Sequence, residues 1–376
     1  MIEGIVAKLK AARERAGITT DELNDKLRLG PGWIEGFEAN QTAPTIDFIF
    51  AIVRALDLDF ETVFQELDFS SAKDVLSHNI EVEDTKKAKQ KGANVRFRYN
   101  SYLAQVFIPS ASKATFDLVV EKFRDDLSTG RKAEAVVDAY MHLVKLWPQA
   151  NPSDIWWFIM SRLYSDPYFH PATEAHRDFG QSWKRTAGWA LEKIVVDHYR
   201  EFLAKHKIEI GIFSRAEKEQ LLKGMKLNYH VEANKADVLL LNIAGTKRAC
   251  FGVAHVKASI AERRQNDQNF SAALLSKNFF SPFVTMDCKS SPSTHPLNKG
   301  EFGITINKEG ADSRRDKRKE FEDEGYYSGC YSFNANTIPT PEGQMATSRI
   351  FVTDFNTADD AFSRAAISVR DKLFGR

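Results

Sequence analysis

DVLLLNIAGTKRACFGVAHVKASIAERRQND, residues Asp237 to Asp267, contains two short apolar runs, Val238 to Leu241 and Cys250 to Val256, around a turn at Gly245. Runs of this length on either side of a glycine turn predict a β-hairpin. An acid, Asp237, opens the first strand, and Lys257 closes the second. Glu262, Arg263, Arg264 and Asp267 all follow within ten residues of that lysine. A carboxylate and an ammonium on adjacent strands suit the hydrolysis of a phosphodiester. The carboxylate can hold a hard divalent cation, which neutralises the phosphate and acidifies an attacking water. The ammonium can orient that water or stabilise charge on the phosphorus. The same two residues also have a plain reading, in which the acid is a turn residue and the lysine points into solvent.

The chain has 376 residues, enough for two or three domains with cores of their own. Its 43% hydrophobic and 27% charged residues are the composition of an ordinary soluble protein. No apolar run approaches the length of a membrane span, and the N-terminus lacks a signal-peptide pattern. The three cysteines, Cys250, Cys288 and Cys330, have no metal-ligand spacing and read as reduced thiols of a cytoplasmic protein. A net charge of +1 supplies no global basic surplus, so a nucleic-acid partner must be argued from local features.

Working outward, residues 1–67 predict a compact helical unit. Ile5, Leu9 and Ala12 form one face, Gly17 ends that helix, and Thr19 or Thr20 caps the next. Leu27, Leu29, Ile34 and Phe37 continue the core, Phe48, Ile52 and Leu56 mark a further helix, and a last short helix follows Asp59. Residues 68–112, acidic and then lysine-rich, are expected to form a connector. From residue 113 the periodicity is helical: Phe116, Val119, Val120 and Phe123 share one face, and Ala135, Ala139, Leu143 and Leu146 another. A long helix from about residue 181 carries Ala187, Ala190, Leu191 and Ile194, with Glu192 at the edge of the stripe. A buried acid without a partner costs several kcal/mol, so Glu192 is either a metal ligand or an acid that snorkels to solvent. Beyond Asp267, Ala272 to Phe280 predicts a helix and Phe283 to Asp287 a strand. Asp312 to Glu324 is a charged, exposed helix, Ile350 to Phe355 a strand, and Ala358 to Leu373 a closing helix. Strands that follow helices, with a late crossover, indicate an α+β or α/β core.

Two resemblances follow from these motifs. "KLKAARERAGITTDELNDKL" with "FEANQTAP" resembles the Xre-type helix-turn-helix family over about 65 residues. It departs from that family where bases would be read: Thr19, Thr20 and then Gly30-Pro31-Gly32-Trp33 are a poor set of base readers. "QSWKRTAGWALEKIVVDHY", "ADVLLLN" and "VKASIAERRQND" resemble the BsaWI-type, CCGG-cutting branch of the PD-(D/E)XK restriction endonucleases. That resemblance implies an α/β (α+β) endonuclease core over residues 113–376, with a helical part at 113–180 and a catalytic core at 181–376.

It further implies that Glu192, Asp237 and Asp267 hold Mg2+ and that Lys257 is the catalytic lysine. His255 stands two residues before the lysine, where the plain pattern has an acid, and a neutral imidazole is a poor magnesium ligand. In this branch the missing acid moves to the following helix, the role given to Asp267. Base contacts fall to Ser259, Glu262, Arg263 and Arg264, because an arginine fork matches guanine and a carboxylate accepts from cytosine. Ala261 takes the place of the first arginine of the branch's Arg-Asp/Glu-Arg triplet, so the core is expected to be CCGG or a relative of it. The partner is double-stranded DNA, and a palindromic site calls for a homodimer. The competing reading is a transcriptional regulator whose C-terminal domain senses or oligomerises and cuts nothing.

Overall fold

The computed structural model describes residues 2–39, 46–58, 80–87, 89–99, 102–164, 179–227, 232–245, 248–260, 264–288, 298–303 and 314–375. It divides into two compact units, Met1–Ile80 and Glu81–Arg376.

The first unit contains α1 (Ile2–Arg15), α2 (Thr20–Lys26), α3 (Trp33–Glu38) and α4 (Ile46–Ala55). Gly17, at φ +67°, ends α1 in the left-handed conformation that favours glycine. Thr19 and Glu22 then form a reciprocal capping box that starts α2. Ile5, Leu9, Leu23, Ile34, Phe37 and Ile52 fill the core, as their periodicity predicts. The Arg13 guanidinium grips the Glu38 carboxylate with bonds of 2.6 and 2.8 Å, tying α1 to the end of α3. The short helix expected after Asp59 lies outside the described residues.

The stretch expected to be a connector carries a three-stranded sheet, β1 (Ile80–Lys87), β2 (Gln90–Tyr99) and β3 (Tyr102–Pro109). Antiparallel pairing sets Ala93 opposite Ile108 and Val95 opposite Val106, which makes one apolar face. Across a small cavity that face meets Leu143, Trp147, Ile155 and Phe158. The charge lies elsewhere on the sheet, where Arg96 bonds Gln105 and Glu83. Outward lysines and arginines masked the period-two alternation that defines a half-buried sheet.

Four helices follow: α5 (Lys113–Ser128), α6 (Lys132–Leu146), α7 (Pro152–Phe158), which runs on into a π-helical turn at Ile159–Tyr164, and the long α8 (Phe179–Lys205). Along α8, Ala187, Ala190, Leu191, Ile194, Val195 and Tyr199 are buried at helical spacing.

The central sheet is six-stranded, with strands in chain order β4 (Ile208–Gly211), β5 (Val238–Asn242), β6 (Ala249–Lys257), β7 (Phe283–Thr285), β8 (Cys330–Ser332) and β9 (Ile350–Val352). Its first two pairings are antiparallel and its last three parallel. β5 is buried along its whole length, which explains why its sequence is unbroken Val-Leu-Leu-Leu and shows no alternation. A register shift pairs Leu240 with Gly252 and Leu241 with Cys250, leaving Phe251 as the extra residue of a bulge. α9 (Arg215–Gly224) and α10 (Arg264–Leu275) cover one face: Leu222, Phe270 and Leu274 pack with Leu239, Leu241 and Val253. α11 (Asp316–Glu324) precedes β8, and α12 (Ala361–Phe374) closes the chain, its Phe362 against Tyr199 and Tyr331. Among the described residues no helix is long and apolar enough to cross a membrane.

Candidate active site

Alternation along β5 and β6 puts Asp237 and Lys257 on the face that α9 and α10 cover, with Leu239, Leu241 and Val253. Asp237 is 8% exposed. Its Oδ2 accepts the Val256 backbone N–H at 2.9 Å and the Lys257 ammonium at 2.7 Å. Both hydrogen bonds fall on one oxygen, so among the described residues none falls on Oδ1. Lys257 Nζ lies 3.7 Å from Asp267 Oδ2, on the first turn of α10. One ammonium therefore stands between two carboxylates carried by a strand and a helix thirty residues apart in the chain. Burial lowers the pKa of Lys257, but the charges of Asp237 and Asp267 and the bond to Asp237 raise it further, so the amine stays protonated. Burial raises the Asp267 carboxyl, and the charge of Lys257 offsets this in part.

Glu192 reaches the same electrostatic neighbourhood from α8. Burial, and then the charge of Asp237, push its carboxyl up to about 7, with Lys218 and Lys257 opposing. It is coupled to these groups through space; no hydrogen bond or ion pair joins it to Asp237 or Lys257. Three acids and a lysine from four elements thus share one field. Among the described residues no three carboxylates, imidazoles or thiols form a ready-made metal cage. The donor set is nonetheless the right kind for a hard cation: carboxylate oxygens, with Asp237 Oδ1 uncommitted and two acids whose charge burial disfavours.

His255 takes the position of the missing acid on the same face of β6, and it belongs to the core. It is fully buried between Phe270 and Tyr327, its Nε2 3.1 Å from Ser281 Oγ. Burial pulls the imidazole down to about 4, so the ring is neutral at pH 7. Ser259 is half-buried two residues past Lys257. Glu262 and Arg263 lie outside the described residues, and Arg264 opens α10.

One residue of this neighbourhood escaped sequence reasoning. Lys218, 9% exposed, points its ammonium at the backbone carbonyls of Ala236 and Asp237, the latter at 3.3 Å. It pins the start of β5 and adds positive charge near Glu192. Lys218 stands four residues before the buried Leu222, so a lysine on an apolar helical stripe was the available signal.

Comparison with known proteins points one way. No protein-family model matches the chain. The type II restriction enzyme AgeI of Thalassovita gelatinovora is 29% identical over 271 residues, which is 69% of this chain and 93% of that enzyme. The crystal structure of the specific restriction endonuclease AgeI–DNA complex superposes with a TM-score of 0.64 at 26% identity, covering 73% of this chain and 99% of that one. The pre-specific restriction endonuclease BsaWI–DNA complex superposes with a TM-score of only 0.37 at 15% identity, too weak a likeness to carry an argument.

Proposed function

We propose that this chain, similar over most of its length to the type II restriction enzyme AgeI, is itself such an endonuclease and hydrolyses double-stranded DNA with Mg2+ at a CCGG-like palindromic site. The observation that carries the reading is the ammonium of Lys257 held between Asp237 and Asp267. Asp237, Glu192 and Asp267 would hold the metal, which, when bound, neutralises the phosphate and acidifies the attacking water. Val256 N–H and Lys218 fix Asp237 and its strand, so the carboxylate is preorganised. Lys257, kept protonated by its two acids, is placed to donate to a phosphate oxygen or to orient a water. Neutral His255 supports the strand from within the core and takes no part in proton transfer.

Ser259, Glu262, Arg263 and Arg264 are the residues we assign to base contact. Support for them is their position between the lysine and the relocated acid, together with the chemistry of arginine forks and carboxylates at base edges. Each active site cuts one strand, so we assign a homodimer to a palindromic site. The unit of residues 2–55, with four helices among its described residues, is read as an Xre-type helix-turn-helix domain, and the reciprocal capping box of Thr19 and Glu22 that starts α2 supports this.

The test is cleavage of varied plasmid and phage DNA with Mg2+, for wild type beside Lys257→Ala and Asp237→Ala. Discrete fragments from wild type, lost in both variants and on chelation, are the expected outcome. DNA binding without cutting on every substrate would return the protein to the regulator reading. Deleting residues 1–68 should leave cleavage intact and change affinity or preference, whereas unchanged behaviour would demote that unit to assembly.

A further inference from the structure

From Lys257 the chain runs through Ala258, Ser259 and Ile260 into the segment assigned to base contact. Ile260 is 1% exposed and packs among Phe283, Phe302 and Phe321. Side chains from remote segments hold both of its polar backbone groups. Its N–H donates to Glu301 Oε1 at 3.0 Å, and its carbonyl accepts from the Lys317 ammonium. The same ammonium pairs with Glu301 Oε2, which closes a ring around one residue. Glu301 is itself fixed: its N–H donates to Asp287 Oδ1 at 2.6 Å, and Thr337 Oγ1 donates to Asp287 Oδ2 at 2.6 Å. Two residues back, the Ala258 carbonyl accepts the Cys288 N–H at 2.9 Å.

Burying a carboxylate is expensive, and an apolar replacement is often as stable, so a buried ion pair is a weak device for stability alone. A buried acid and a lysine spent on the two backbone groups of a single residue outside strand and helix do something else: they fix its position. We propose that Glu301 and Lys317 are positioning residues for sequence recognition. They clamp Ile260 so that the base-contacting residues after it start from a set place relative to Lys257. Base reading and the cleaved phosphate are thereby held in register, which matters because a displacement of about 1 Å can cost roughly 100-fold in rate. The inference rests on the endonuclease reading.

The experiment compares wild type with Lys317→Met, Lys317→Arg and Glu301→Gln. It reads the ratio of single-turnover rates on the preferred duplex and on duplexes with one core base pair changed. It also reads melting temperature and amide hydrogen exchange at Ile260 in the DNA-free protein. Lys317→Met should lower discrimination about tenfold, with a smaller loss on the preferred duplex, and speed exchange at Ile260. Lys317→Arg should restore most of both. Glu301→Gln keeps an acceptor for the Ile260 N–H but loses the pairing charge; it should give the same fall if Lys317→Met proves too unstable to assay. Unchanged discrimination in folded variants, or equal losses on every duplex, would overturn the proposal. Wild type that cuts none of the duplexes would instead sink the endonuclease reading, before any variant is made.

Discussion

Glu322 and Glu192 are both acids on helices packed against the same sheet, and their environments act on them in opposite directions. Glu322, on α11, is fully buried, and burial alone would raise its carboxyl. Yet Thr340 donates at 2.7 Å, Arg314 at 3.1 Å and Arg318 at 2.8 Å, and together they hold it below the usual carboxylate range. Glu192 is pushed up to about 7, by burial first and then by the charge of Asp237, while Lys218 and Lys257 oppose this only through space. The charge of Glu322 is matched by donors inside the fold; among the described residues that of Glu192 is opposed only by two lysines acting through space. Unmatched charge of this kind gathers where a cation and a phosphate are to be bound.

Four substitutions test this difference between the two acids, in descending order of effect. Glu322→Ala should destabilise the protein by about 3–5 kcal/mol in denaturant unfolding, because Arg318 would be left buried without its counter-charge. Lys257→Ala should leave that stability nearly intact and slow single-turnover cleavage by roughly 100- to 1000-fold. If instead it unfolds the protein, the Asp237–Lys257–Asp267 cluster is structural.

Glu192→Gln joins the two regions. A carboxyl raised in the folded state contributes stability that is fully present below its unfolded pKa and is lost as pH rises through about 7. In chelator, therefore, the variant should match wild type near pH 4 and exceed it by about 1–2 kcal/mol at pH 8, while cutting poorly in Mg2+ at either end. A wild type that is the more stable at pH 8 would mean that Glu192 already has a full partner. Asp154 supplies the control, since burial also pushes it up to about 7 and one of its oxygens lacks a hydrogen bond, but it lines the cavity under the first sheet. Asp154→Asn should add about 1 kcal/mol of stability above pH 7 and leave cleavage untouched. Lost activity there would show that a raised carboxyl in this fold marks more than local burial.

Legibility in the sequence followed local signal strength. The hairpin of β5 and β6 was readable because its apolar runs and turn are contiguous, and α8 because its apolar stripe recurs at helical spacing. The acid and the lysine stood at strand ends, where such residues carry positional meaning. β4 and β8, strands of four and three residues, were missed, whereas β7 and β9, just as short, lie inside the longer strands expected at Phe283–Asp287 and Ile350–Phe355. Lys218 was missed because a lysine on a helix normally reads as solvated. The first sheet was mistaken for a connector because its lysines and arginines outweighed four alternating apolar residues.

By itself the sequence determined the hairpin and the helical N-terminal unit, since these depend on spacing along a single segment, and it offered the charged residues as candidates. Only the tertiary structure decided which charges meet: the lysine between its two acids, Glu192 within their field, and Glu301 with Lys317 on Ile260. Those encounters join segments separated by up to dozens of residues, and electrostatic energy depends on distance in space and on exclusion of water, neither of which is written in the order of the residues.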